Sequence, residues 1–257
     1  YVQPVEDPTS LTRDEILNSK KAMPFLGPSY SLGSSTMHNR EYFIVKYETT
    51  EEAIRKYIPE DLFPNQENVV YAQWVNTKST GLGDYEKFDI LVPVTDKNGK
   101  NYLFQVMSFL NSSSPITGGR EVYGQPQKFG NPSFKTERDT VVGTLDYCGL
   151  RVVSGTMGFK SKRMELAEAT QFINTPSLTL KLIPNPKGHA EVAQLVEIQH
   201  KDIRLHSAYE SNARLHIHDH VNAPVGDFPV VKELGGFSIV GSLTLPEGKV
   251  VRDYIKE

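Results

Sequence analysis

With 257 residues the chain can bury a sizeable core, and 38% hydrophobic with 23% charged residues is the balance of an ordinary soluble globule. A net charge of −3 without a long basic block argues against nucleic acid as a partner, and no apolar run approaches the roughly 20 residues of a membrane helix. The single cysteine, Cys148, excludes an internal disulfide and a zinc–thiolate cage, and its place in the strand-like stretch Val141–Val153 suits a small buried thiol.

Residues 1–30, rich in Pro, Ser and charge, read as an N-terminal arm, and residues 31–257 as a single domain. The arm carries one short helix, Thr12–Lys21, opened by Thr12, Asp14 and Glu15 and stopped ahead of Pro24 and Pro28. A second helix is expected over Thr50–Tyr57, with Thr50 as its cap, Glu51 and Glu52 in its first turn and Pro59 beyond its end.

Short β-rich runs follow at Val69–Val75, Ile90–Val94, Tyr102–Phe109, Val141–Leu145, Leu150–Gly155, Leu178–Ile183, Ala193–Ile198 and Phe237–Leu245. Asn98-Gly99 between two of them is a hairpin signal. One longer helical window, Arg163–Phe172, interrupts the series. Strands dominate without the regular strand–helix alternation of a parallel doubly wound sheet. The pattern predicts a mainly β protein, an antiparallel barrel or sandwich with a few peripheral helices.

His216, His218 and His220 alternate with Leu215, Ile217 and Asp219, so a continuous strand would put three imidazoles on one face about 7 Å apart. Three histidines along one strand seldom converge on one ion. A hydrated or interfacial face is therefore expected there, and no metal is assigned. The chain begins at Tyr1, and Asn111-Ser112-Ser113 is a glycosylation sequon. A cytoplasmic location is expected, with secretion after removal of a leader as the alternative.

Seven blocks in order carry a family resemblance. They are His38-Asn39-Arg40-Glu41-Tyr42-Phe43, Gly81-Leu82-Gly83-Asp84-Tyr85, and Gly119-Arg120-Glu121 with Pro126, Lys128, Gly130 and Pro132. Asp139 to Tyr147 with Thr156-Met157-Gly158, Lys181 to Asn185, Asp219-His220, and Ala223-Pro224 with Pro229-Val230 complete the series. Over roughly residues 24–256 the chain resembles the acetoacetate decarboxylase family.

The resemblance implies a closed, cone-like antiparallel β-barrel, a homo-oligomer, a small-molecule substrate, and no metal or organic cofactor. It also implies chemistry in which a lysine amine condenses with the ketone of a β-keto acid. The protonated imine withdraws electrons while carbon dioxide leaves, and the amine is kept neutral by an apolar surround.

At the family's Pro-Lys-Lys this chain reads Pro126-Gln127-Lys128. Gln127 stands in register with the imine-forming lysine and has no nucleophilic amine. Lys128 follows it, and on an extended segment it faces the opposite side unless a bulge re-aims it. The family arginine is retained as Arg40, a partner for a substrate carboxylate. The two family glutamates fall in ungapped register at Ala72 and Lys87, beside Gln73 and Glu86. Glu121 is a candidate pocket acid, and Trp74 is either core or a wall of the altered pocket.

Together these changes predict an enzyme of the acetoacetate decarboxylase superfamily acting on a small oxo-acid or related carbonyl compound. The first expectation is non-imine chemistry, such as dehydration, cyclisation or isomerisation, using Arg40 and Gln127. A second reading retains decarboxylation through Lys128 or Lys87. A third is a non-catalytic small-molecule binding protein.

Overall fold

The computed structural model describes residues 11–19, 21–64 and 67–256. Residues 1–10 and Lys20, which belong to the expected arm, lie outside the described residues. The chain opens with α1 (Arg13–Asn18), β1 (Ser35–Glu48), α2 (Glu51–Arg55), β2 (Leu62–Pro64), β3 (Val69–Ser79), β4 (Gly83–Asp96) and β5 (Asn101–Leu110). Then come α3 (Ser113–Gly118), a π-helical turn at Gly119–Tyr123, β6 (Gln127–Phe129), β7 (Asn131–Glu137), β8 (Thr140–Tyr147), β9 (Leu150–Gly158) and β10 (Lys162–Arg163). The chain continues through α4 (Leu166–Asn174), β11 (Ser177–Pro184), β12 (Ala190–Ile198), β13 (Lys201–Ser211), β14 (Ala213–Ile217), β15 (Lys232–Leu245) and β16 (Lys249–Asp253).

Twelve strands form one sheet with a main path β10-β13-β15-β1-β3-β4-β5-β11-β12-β16, and four form a second, β14-β9-β8-β7. The mainly β expectation holds. The ends of the main path do not pair with each other among the described residues, so hydrogen-bond closure of a barrel is not part of this structure. Pairing is antiparallel except where β5 meets β6 and β11. The crossover through α3 and the π-helical turn lets the chain re-enter beside β5 in the same direction.

The helices begin where their caps lie. Thr12 and Glu15 form a reciprocal capping box, and Thr50 Oγ1 accepts from the Ala53 amide at 3.2 Å. The helix expected over Arg163–Phe172 starts later, as α4 at Leu166, because Arg163 pairs with Tyr209 of β13 instead. Cys148 is exposed at the turn between β8 and β9, with φ 50°, rather than buried in a strand.

Strand alternation divides the large sheet into two faces. Phe43, Val45, Val70, Ala72, Trp74, Phe88, Ile90 and Phe109 join residues of β8 and β9 in the larger core cluster. Tyr42, Ile44 and Val75 face the other way, toward Ala169 and Ile173 of α4. Trp74 anchors the first face: it stacks on Phe43 at 5.0 Å between centroids, and its Nε1 donates to the Thr144 carbonyl at 2.8 Å. Its indole lies directly on Gly143 and Gly155, where an added Cβ would come within 2.7 Å of the ring. A side chain at either position would force the indole to shift.

Candidate active site

A cavity of about 110 Å³ opens on the α4 side of the large sheet. Its floor is built from alternate residues of four neighbouring strands: Arg40 and Tyr42 on β1, Gln73 on β3, Tyr85, Lys87 and Asp89 on β4, and Gln105 on β5. Gln125 and Gln127 close one side, Phe172 and Ile173 of α4 another, and His200 follows the end of β12. Residues 30–35 contribute a further wall, so the end of the expected arm takes part in the site.

A bulge delivers Arg40. Asn39 adopts φ 46°, and the pairing with β15 skips between Met37 and Arg40. Met37 and Arg40 are consequently both buried, while His38 and Asn39 are exposed. The guanidinium lies over the Tyr42 ring at 5.1 Å, and its buried Nε has no hydrogen-bond partner within the protein.

Gln127 enters from β6, which pairs in parallel with β5 through Ser108. It is 3% exposed. Its Nε2 donates to Gln125 Oε1 at 2.7 Å, and its Oε1 lies against Gly119, where a Cβ would sit 2.2 Å away. Glycine at that point is what lets the amide pack. Arg120 acts through the backbone, donating from Nη1 to the Gln127 carbonyl at 3.1 Å.

Lys128 takes the opposite face, as alternation requires. It is exposed, its Nζ donates to the Asn222 carbonyl at 2.5 Å, and it rests over the Tyr147 ring. No bulge turns it inward. Its expected alternative role as a cavity amine does not fit this placement.

Lys87 is inside the cavity and 7% exposed. Its Nζ meets Asp89 Oδ2 at 3.0 Å. Burial pushes the amine below its usual pKa, Asp89 opposes that, and the Arg40 cation adds to it. Asp89 is the hub of the floor: Gln73 Nε2 donates to Oδ2 at 3.2 Å and Gln105 Nε2 donates to Oδ1 at 2.7 Å.

Other expectations are corrected by position. Ala72 and Trp74 share a face, but it is the core face, so Trp74 is not a cavity wall and Gln73 takes the cavity side of β3. Glu86 faces away from Lys87, accepts from Asn111 Nδ2 at 3.0 Å and has its pKa raised by burial. Glu121 is not among the cavity-lining residues described, but it accepts from the hydroxyl of the lining Tyr30 at 2.6 Å.

The histidine row is also interrupted. β14 ends at Ile217, His216 and His218 meet edge to face at 4.3 Å, and the His220 ring turns against Tyr147. Among the described residues no cluster of three or more His, Cys, Asp or Glu side chains has a metal-binding arrangement. No helix of the described residues is long and apolar enough to cross a membrane.

Sequence reading missed His200, Asp89, Gln105 and Gln125. His200 is held neutral, with its pKa lowered to about 3 by burial and then by Arg40 and Lys87. The i, i+2 spacing of Lys87 and Asp89 was the available signal for a shared face.

The acetoacetate decarboxylase family model matches residues 22–255. Acetoacetate decarboxylase 2 of Mesorhizobium japonicum is 37% identical over 243 residues, 95% of this chain and 93% of the relative. Acetoacetate decarboxylase of Clostridium botulinum is 39% identical over 235 residues, 91% of this chain and 95% of the relative. The crystal structure of acetoacetate decarboxylase from Legionella pneumophila superposes with a TM-score of 0.88 at 32% identity, covering 96% of this chain and 99% of that one. The resemblance carried by the seven sequence blocks is thus matched over nearly the whole chain in both sequence and structure, and the chain belongs to the acetoacetate decarboxylase family.

Proposed function

We propose that this chain is a β-keto acid decarboxylase in which Lys87 supplies the imine-forming amine and Arg40 binds the substrate carboxylate. The observation that carries this reading is the buried amine of Lys87 within the cavity, its proton affinity reduced by burial and by Arg40. A neutral amine has the lone pair that attacks a ketone. Gln127, in register with the family's lysine, would contribute an amide to the wall.

The chemistry needs nothing beyond one proton from solvent, since the water released in forming the imine is returned in its hydrolysis. Lys87 Nζ adds to the ketone carbon and water leaves, giving a protonated imine. The bond to the carboxylate breaks, its electron pair moves into the imine, and carbon dioxide departs. Protonation of the resulting enamine carbon and hydrolysis return the ketone product and the free amine. Arg40, Lys87 and Asp89 together balance one negative charge when the amine is protonated, which suits a monocarboxylate.

A second reading follows from the Lys87–Asp89 pair at 3.0 Å. A carboxylate at that distance favours the ammonium, and a permanently protonated lysine cannot form an imine. The family member would then act without an imine on a related carbonyl compound, by dehydration, cyclisation or isomerisation, with Gln127 presenting its amide.

Incubation with acetoacetate and borohydride separates the two. The imine reading expects a reduced adduct on intact protein, mapped to Lys87 by peptide analysis, with carbon dioxide released when the hydride is omitted. Absence of both adduct and gas would sink it in favour of the second reading.

A further inference from the structure

Asp89 is 1% exposed, lies on the cavity floor and is surrounded by donors on three sides. Gln73, its direct partner across β3 and β4, donates to Oδ2, as does Lys87 two residues earlier on the same strand. Gln105 of β5 donates to Oδ1. The carboxylate is thereby locked in rotation, with Oδ2 shared by Lys87 and Gln73 and Oδ1 held by Gln105.

A buried ion pair is poor value for stability alone, because desolvation offsets most of the attraction. Apolar side chains of similar volume would serve a wall equally well. Two glutamines from flanking strands fixing one carboxylate, which in turn fixes one lysine, make a device for orientation.

We infer that Asp89 is the positioning residue of the amine: it holds Lys87 Nζ over the cavity floor, and its charge sets the pH at which the amine becomes free to attack. Gln73 and Gln105 set the angle at which it holds the amine. This rests on the imine reading proposed above. The charged and titratable groups that line the cavity with the amine are Arg40 and Tyr42 from β1, Tyr85 and Asp89 from β4, His200 after β12, and the phenols of Tyr30 and Tyr123. Arg40 and Asp89 act on its charge in opposite directions.

The test is the rate of adduct formation with acetoacetate and cyanoborohydride, followed by mass spectrometry of the full chain from pH 5 to 9. In the native protein the rate rises with pH as the amine becomes neutral. Asp89→Asn removes the charge that retains the proton, so the midpoint should fall by about one pH unit or more. The plateau should fall by roughly tenfold as the amine loses its fixed geometry. Asp89→Glu should return the midpoint toward native and leave the plateau low.

An unchanged midpoint and plateau in Asp89→Asn, with the adduct still on Lys87, overturns the inference and leaves the imine reading standing. No adduct in the native protein overturns the imine reading and this inference with it. If Asp89→Asn does not fold, Gln105→Leu replaces it. That variant frees the carboxylate from its fixed angle while keeping its charge, so the plateau should fall without an acid shift, and an unchanged plateau overturns the inference.

Discussion

Met37 and Arg40 both turn into the cavity although three positions separate them on one strand, and Arg40 Nη1 donates to Met37 Sδ at 3.0 Å. Strict alternation forbids that pairing of faces. The extra residue is absorbed at Asn39, whose φ of 46° suits a short polar side chain and penalises a branched one. Asn39→Val should cost about 1–2 kcal/mol in urea unfolding, whereas Asn39→Gly should be nearly neutral.

Arg40 itself should affect binding more than stability. Arg40→Met removes the charge-assisted contact to a substrate carboxylate, worth about 1.5–3 kcal/mol. KM for the productive acid should rise roughly ten- to hundredfold, and a neutral ketone ligand should lose little affinity. Equal losses for acid and ketone would rule out carboxylate recognition.

Lys128 offers a control. Its amine bonds the Asn222 carbonyl outside the cavity, so Lys128→Ala should leave turnover within about twofold of native. Lys87→Met should abolish adduct formation. Reversal of these two outcomes would return the imine to β6.

His200 gives the fold an acid sensitivity. Its folded pKa of about 3 lies below the ordinary 6.5, so the unfolded chain binds the proton first as pH falls. This contribution is complete above about pH 6.5 and is lost progressively on acidification toward pH 3, with a slope of at most about 1.4 kcal/mol per pH unit. Between pH 7.5 and 5.0 the native protein should lose up to roughly 2 kcal/mol more than His200→Gln in urea midpoints extrapolated to water.

Gly155 tests the Trp74 anchor. Gly155→Ala places a methyl 2.7 Å from the indole and should cost about 1–3 kcal/mol, while Gly27→Ala, with nothing within 4 Å, should cost little. A tolerated Gly155→Ala would mean that the indole can shift.

Much of this arrangement was legible in residue order. The Asn-Arg-Glu-Tyr block marked Arg40, and the inward Gln127 and outward Lys128 followed from simple alternation. Alternation also warned that Ala72 and Gln73 must face opposite ways, but not which one meets the cavity. That choice depends on which face of β3 packs on β8 and β9, a matter of tertiary contact. The link between Asp89 and Gln105 was invisible for the same reason: they become a unit only when β4 and β5 lie side by side. The start of β1 hid among polar residues because the Asn39 bulge breaks its period.

The two-sided strands β3 and β4 separate two kinds of constraint by single-residue steps. Ala72, Trp74, Phe88 and Ile90 hold the sheet against its neighbour, while Gln73, Lys87 and Asp89 between them face the cavity. A lineage can therefore exchange its reactive groups one position at a time without reopening the interior. Substitution on the cavity side of these strands leaves the packed side in place, so the two faces are free to vary separately.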